Sequence, residues 1–239
     1  MVRRITKKMN VYQNYFLTQE KKIAVLIDPD KHTPESATEI AKKIESSSAA
    51  MIFVGGSMVS ESISPVITAI KQNTQKPVVI FPGGVTQLSN NADALLLLSL
   101  VSGRNPDFLI GNQVQAAFAI KKSGIEYIPT AYILIDGGKC TSVQYVSNTM
   151  PIPADKPDLA AATALAAYMM GMKAVYLEAG SGALTPVPQN VISAVKKAVE
   201  IPIVVGGGLR NAKAIKNAFE AGADIVVVGT AIENGIWPF

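Results

Sequence analysis

Eight apolar runs rich in β-branched residues recur along this chain, and their alternation with helix-like stretches is what most limits the fold it can adopt. The runs are "KIAVLID", "AAMIFVGG", "KPVVIFPGG", "ADALLLLSL", "EYIPTAYILID", "AVYLEAGSG", "IPIVVGGG" and "DIVVVGT". Most are separated by stretches of helical character: "SATEIAKKIESS", "NQVQAAFAIKKSG", "DLAAATALAAYMMG", "PQNVISAVKKAVE" and "NAKAIKNAFEAGA". Strands buried on both faces read as near-continuous apolar runs, and parallel strands need crossover connections. Eight such units in 239 residues, 49% hydrophobic and 17% charged, predict one α/β domain over residues 1–239, a (β/α)8 barrel of the TIM type. A doubly wound open sheet is the runner-up, and it gives no reason for glycines at so many different strand ends.

Two connections depart from the regular pattern. Between "VVIFP" and "ADALLLL" stands only "GGVTQLSNN", too short and too rich in Gly, Ser and Asn for a crossover helix. The third helix is therefore expected to be missing or replaced by an extended segment, which leaves a groove beside the barrel. The segment from Gly137 to Pro157, "GGKCTSVQYVSNTMPIPADKP", reads equally as a functional lid or as a passive surface excursion. After the eighth run only "AIENGIWPF" follows, too little for a full closing helix, so a partner subunit or a frayed end is expected there.

Charge and cysteine content narrow the classes of function. The formal charge of +4 comes from scattered Lys and Arg, and the one dense cluster, "RRITKK", has no interleaved aromatics, so nucleic acid is not an expected partner. Cys140 is the only cysteine, which excludes an internal disulfide and a cysteine-built metal site and suits the cytoplasm. The N-terminus has no signal-like apolar core, and the greasiest run, "ALLLLSLV", falls far short of the ~20 residues of a membrane span. His32 is the only histidine, which excludes a multi-histidine zinc site.

In a barrel of this type the chemistry lies at the C-terminal ends of the strands. Those ends read "DPDK", "GGS", "PGG", "EAGSG", "GGG" and "GT" for strands one, two, three, six, seven and eight. Gly206 to Gly208, with Gly229 and Thr230, offer backbone N–H groups where phosphate is commonly held; the plainer reading of each glycine is a tight turn. Side chains alternate along a strand, so Tyr176 and Glu178 face the barrel mouth if Val175 and Leu177 face the helices. Glu178 can then accept a hydrogen bond from a substrate hydroxyl; the alternative is a structural glutamate paired with a lysine. Asp28 shares a face with Ala24 and Leu26, and Ser57 ends the adjacent strand. One carboxylate and one hydroxyl suffice for Mg²⁺ when substrate phosphates complete the shell. Asp30 belongs to the following loop, and Lys31 faces either phosphate or solvent.

The motifs "LIDPDK", "FVGGSMV", "FPGG", "YLEAGSG", "VGGGLR" and "VGT", spread from Ile23 to Thr230, resemble the geranylgeranylglyceryl phosphate synthases and their bacterial heptaprenylglyceryl phosphate relatives. The resemblance implies a barrel with a replaced third helix, often assembled as a homo-oligomer. It also implies Mg²⁺-dependent transfer of a prenyl group, from a polyprenyl diphosphate such as geranylgeranyl diphosphate, to the sn-3 hydroxyl of sn-glycerol 1-phosphate, with release of pyrophosphate. Carried onto this chain, the metal positions fall on Asp28 and Ser57. The glycerol-phosphate positions fall on Tyr176, Leu177, Glu178, Ala179, Gly180, Ser181 and Gly182, on Gly207 and Gly208, and on Gly229 and Thr230. Glu178 is the expected base with Tyr176 beside it, and the prenyl tail is expected in the groove around residues 84–100. One departure is that "AVLIDPDK" lacks the lysine many members carry before this motif. Two rivals remain open: a phosphosugar isomerase using Asp136 as a second acid/base, and a non-catalytic phosphometabolite sensor. A phosphoglycerate acceptor is disfavoured because Glu178 would repel its carboxylate. A lipid-like donor and product leave peripheral membrane contact open.

Overall fold

The computed structural model describes residues 10–229 together with Ile232 and Gly235. The "RRITKK" cluster, Thr230 and most of "AIENGIWPF" lie outside the described residues. The strands are β1 (Lys22–Ile27), β2 (Met51–Val54), β3 (Val78–Ile80), β4 (Ala94–Leu100), β5 (Glu126–Leu134), β6 (Ala174–Glu178), β7 (Ile203–Gly206) and β8 (Ile225–Val228). They pair in parallel in chain order, and β8 returns to β1, so the sheet closes into a barrel. The helices are α1 (Pro34–Glu45), α2 (Ser64–Lys71), α3 (Asn112–Ser123), α4 (Ser142–Ser147), α5 (Pro157–Met169), α6 (Gln189–Ala198) and α7 (Ala212–Ala221). Thr33 and Asn211 cap α1 and α7 by accepting the N–H groups of Ser36 and Ala214.

The alternation along each strand separates two cores. Ala24, Phe53, Leu96, Tyr132, Tyr176 and Val204 fill the barrel interior. Val25, Ile52, Val175, Leu177 and Val205 turn outward onto helix residues such as Ile44, Ile67, Val191 and Ile215. The parity expected for β6 is thus the one observed. Between β3 and β4 the chain forms no helix over residues 81–93, as the short crossover required.

The 137–157 segment is more ordered than either a lid or a passive loop. It contains α4 and a parallel bridge between Ile135 and Ile152. Ile152 donates its N–H to the Leu134 carbonyl and accepts that of Asp136, each at 2.9 Å, so backbone groups beyond the end of the β4–β5 ladder are satisfied.

At the opposite end of the barrel two aspartates tie strands together in the same way. Asp93, just before β4, accepts the N–H of Val78 at 2.8 Å and pairs with Lys71 at 2.7 Å. Asp224, just before β8, accepts the N–H of Ile203 at 2.9 Å and pairs with Lys196 and Lys21 at 2.8 and 3.2 Å. Burial opposes the charge on Asp224, but these partners outweigh it and hold the carboxyl below its ordinary range. A group depressed in the folded state contributes stability above its unfolded pKa and loses it as pH falls through the folded value. Asp224→Ala is therefore expected to lower the unfolding free energy by about 2 kcal/mol at pH 7. In urea titrations the difference from the parent should shrink as the pH falls below about 4.

Candidate active site

Glu178 ends β6 with its side chain inward and only 5% of its surface exposed. Burial raises its carboxyl from the ordinary value of 4.5 up to about 7. The Gly180 N–H, donated to Oε1 at 2.6 Å, and the hydroxyls of Tyr176 and Tyr132 work in the other direction without cancelling it. No cation pairs with Glu178 among the described residues, so the structural lysine partner is not what holds it. Tyr176 is fully buried, and its hydroxyl closes no well-formed hydrogen bond. Its ring stacks on Phe81 at 5.0 Å and lies 5.3 Å from Tyr132. Burial, and then the neighbouring Glu178 charge, push both tyrosine hydroxyls well above 10.

The turn after β7 closes over this carboxylate. Gly207 adopts φ +83°, and a Cβ there would sit 2.5 Å from Glu178 Oε1 and 2.7 Å from the Gly180 nitrogen. Only glycine lets the two turns meet. The main-chain N–H groups of Ser181, Gly182, Gly207 and Gly208 donate to no described acceptor. Gly208 rests on the backbone of Thr185 and Pro186, and Gly229 sits in ordinary contact with Leu26. The β6 and β7 turns are thus brought together, with the β8 end beside β1 and Thr230 outside the described residues.

Asp28, Ser57 and Gly83 form a second group at the ends of β1, β2 and β3. The Asp28 carboxylate accepts the Asp30 N–H at 3.2 Å and lies 3.4 Å from the Lys31 ammonium. Gly56 packs against it, since a Cβ there would be 3.2 Å from Oδ1, and Gly83 packs on Gly56 and Ser57. Asp30 turns away to bind the N–H and hydroxyl of Ser60, and His32 faces the Ser36 hydroxyl. No three His, Cys, Asp or Glu side chains cluster as a metal cage among the described residues. One partly exposed carboxylate at the end of β1, with Ser57 at the end of the adjacent β2, fits a hydrated Mg²⁺ that would take its remaining oxygens from water and phosphate. Asp136 is exposed and folds back to accept the Gly138 N–H at 2.9 Å, which leaves the isomerase reading without its second acid/base.

From this second group an apolar groove runs along β4 to α3, enclosing about 910 Å³ that is partly open to solvent. Its walls include Phe81, Val85, Leu88, Leu96, Ala116 and Ile120, and Tyr132 stands at its inner end. The lining expected from residues 84–100 is present, and α3, α4, the ends of β2 and β3, Phe108 and Tyr132 add the rest. Those additions were hidden because they come from elements distant in the chain. Tyr132 and Phe81 were also missed, and the available signal was the parity of β5, which pairs Tyr132 with Tyr176 in register.

Amide-rich turns after β6 and β7 and an apolar groove along β4 thus stand at the C-terminal end of a closed parallel barrel of the TIM type. The PcrB family matches residues 15–236, and the chain belongs to that family. It is 53% identical to the geranylgeranylglyceryl phosphate synthase of Flavobacterium johnsoniae over 90% of this chain and 89% of that protein. It is 45% identical to the enzyme of the same name from Thermococcus gammatolerans, over 95% and 90% of the two chains. Among solved structures, the (S)-3-O-geranylgeranylglyceryl phosphate synthase of Thermoplasma acidophilum in complex with sn-glycerol-1-phosphate superposes with a TM-score of 0.86. That pair is 36% identical over 98% of this chain and 92% of the other. The N-acetylmannosamine-6-phosphate 2-epimerase of Clostridium perfringens, 16% identical with a TM-score of 0.56, shares the fold alone.

An acid whose pKa is raised on folding stabilises the folded state less as pH climbs from its unfolded value, near 4.5, through its folded value, near 7. Glu178→Gln should therefore be more stable than the parent at pH 8, by about 3 kcal/mol. Denaturant titrations should show that gap narrowing steadily as the pH is lowered to 5.

Proposed function

We propose that this protein is a Mg²⁺-dependent prenyltransferase that forms an ether between a polyprenyl diphosphate and the sn-3 hydroxyl of sn-glycerol 1-phosphate, releasing pyrophosphate. The observation that carries this reading is that an apolar groove is lined by Phe81 and Tyr132, whose rings contact Tyr176, and that Tyr132 and Tyr176 flank a buried carboxylate. Its relatives' names and the glycerol-phosphate complex of the Thermoplasma acidophilum structure support the same assignment.

In this reading the acceptor phosphate lies on the amides around Ser181, Gly182, Gly207 and Gly208, with Gly229 and Thr230 completing the cradle. Tyr176, Glu178 and Gly180 stand on the glycerol side of this strand end, whereas the Leu177 and Ala179 side chains pack in the outer core and only their main chain borders it. Asp28 and Ser57 would hold Mg²⁺, which would supply charge neutralisation for the diphosphate. The bond from the allylic carbon to the diphosphate oxygen breaks, and the sn-3 oxygen forms the new bond to that carbon. The hydroxyl proton passes to Glu178, whose pKa near 7 suits a general base at neutral pH. Phe81 and Tyr132 line the groove where the allylic carbon would gain positive charge, and cation–π attraction from these rings would favour that state, with Tyr176 stacked on Phe81 from behind. The prenyl tail occupies the groove.

We also place the enzyme in the cytoplasm as a homo-oligomer. An exposed free Cys140 suits a reducing compartment. Ile110, Val114 and Phe118, spaced four residues apart and 60–85% exposed, give an apolar stripe of the kind that subunit contacts cover. No helix among the described residues is long and apolar enough to cross a membrane.

Incubation with sn-glycerol 1-phosphate, Mg²⁺ and a ladder of prenyl diphosphates, with products weighed by mass spectrometry, tests the reaction and reads the chain length. Glu178→Gln is expected to lower kcat by roughly 10²–10⁴-fold, and Asp28→Ala to reduce turnover at every Mg²⁺ concentration. Parent-like rates from both variants, or acceptor binding without pyrophosphate release by the parent, would sink the assignment.

A further inference from the structure

The connection after β5 rests directly on the turn that follows β6. The Gly137 carbonyl accepts the N–H groups of Leu184 and Thr185 at 2.9 and 3.2 Å. A Cβ on Gly137 would fall 2.5 Å from the Ala179 carbonyl oxygen and 2.7 Å from the Ala183 methyl, and Gly138 turns with φ +84°. Thr141 packs against Gly180 from the same side. These contacts fix where the residue between them emerges. That residue is Lys139, whose Nζ stands 3.4 Å from the place a Cβ on Gly182 would occupy.

The other cation at this turn is already engaged. Arg210 donates to the carbonyls of Gly182 at 3.3 Å, of Ala183, and of Leu184 at 3.5 Å, so its guanidinium holds the turn's backbone in shape. Lys139 by contrast makes no ion pair or hydrogen bond among the described residues. The N–H groups of Ser181 and Gly182 beside it are also without described acceptors. Amide dipoles alone hold an anion weakly at a wet mouth, whereas a full positive charge beside them makes charge-assisted hydrogen bonds.

We infer that Lys139 is a substrate-binding residue whose ammonium, set by the Gly137–Gly138 turn over Ser181 and Gly182, pairs with the phosphate of the three-carbon acceptor and selects phosphorylated over unphosphorylated acceptors. This rests on the prenyl-transfer reading for the identity of the acceptor. The order of the 137–157 segment then has a purpose, because α4 and the Ile135–Ile152 bridge anchor the platform from which the lysine reaches the turn.

Lys139→Met should raise KM for sn-glycerol 1-phosphate about 10-fold or more, with kcat at saturating acceptor moving far less and KM for the prenyl diphosphate unchanged. Lys139→Arg should recover most of the loss. Calorimetric binding of sn-glycerol 1-phosphate without donor should weaken in parallel and depend less steeply on salt than in the parent. Because the side chain is exposed, the melting temperature of each variant should match the parent, and a variant that fails this check is replaced by Lys139→Gln. An unchanged acceptor KM and affinity would overturn the inference. So would a change confined to kcat or to the donor KM, which would assign the charge to the diphosphate instead. If the parent itself makes no ether product from any donor, the functional reading fails, while the calorimetric comparison still decides whether Lys139 grips the acceptor phosphate.

Discussion

The carboxylate of Glu178 is held out of water by the closed barrel, with one N–H from Gly180 and no counter-cation among the described residues, and much of the mouth is shaped around that cost. Removing a carboxylate from water favours its neutral form, which is why its pKa climbs to about 7. The position depends on neighbours that approach without side chains of their own. Gly207 lies against Oε1 and the start of the β6 turn, so the carboxylate, the β6 amides and the β7 amides share one small volume. A bulkier residue there would separate the proton acceptor from the N–H groups available to an anion.

Loss of one crossover helix creates the other half of the site. With turns and no helix over residues 81–93, the outer side of β4 is covered only in part, and Leu97 together with Phe81, Ala116 and Ile120 borders a groove instead of a packed helix interface. The groove and the carboxylate are joined by a cluster of rings, since Phe81 and Tyr132 line the groove and both contact Tyr176 beside Glu178. An amphiphile with a greasy tail and an anionic head matches that division. The β5–α5 connection supplies the cationic side of the head-group end through Lys139, while Arg210 keeps the turn beneath it in form.

Alternation made half of this legible in the linear chain. With Val175 and Leu177 turned to the helices, Tyr176 and Glu178 had to face inward, and the short "GGVTQLSNN" crossover had no room for a helix. The residues missed share a different origin. Tyr132 looks like any apolar-run aromatic until register sets it beside Tyr176, and Phe81 acquires its stacking partner only through closure of the barrel. The segment after β5 carries a short helix and one bridge, features too small to leave a periodic signal.

The sequence by itself determined the number and order of strands, the inward parity of β6, the missing helix and the glycine-rich strand ends, because these follow from local periodicity and from which residues allow a turn. Tertiary structure alone decided how far Glu178 is desolvated, which rings surround it, that α3 and α4 complete the groove, and that Lys139 reaches Gly182. Each of those depends on segments distant along the chain meeting in space. Neither burial nor proximity between such segments is encoded in the pattern of any one of them.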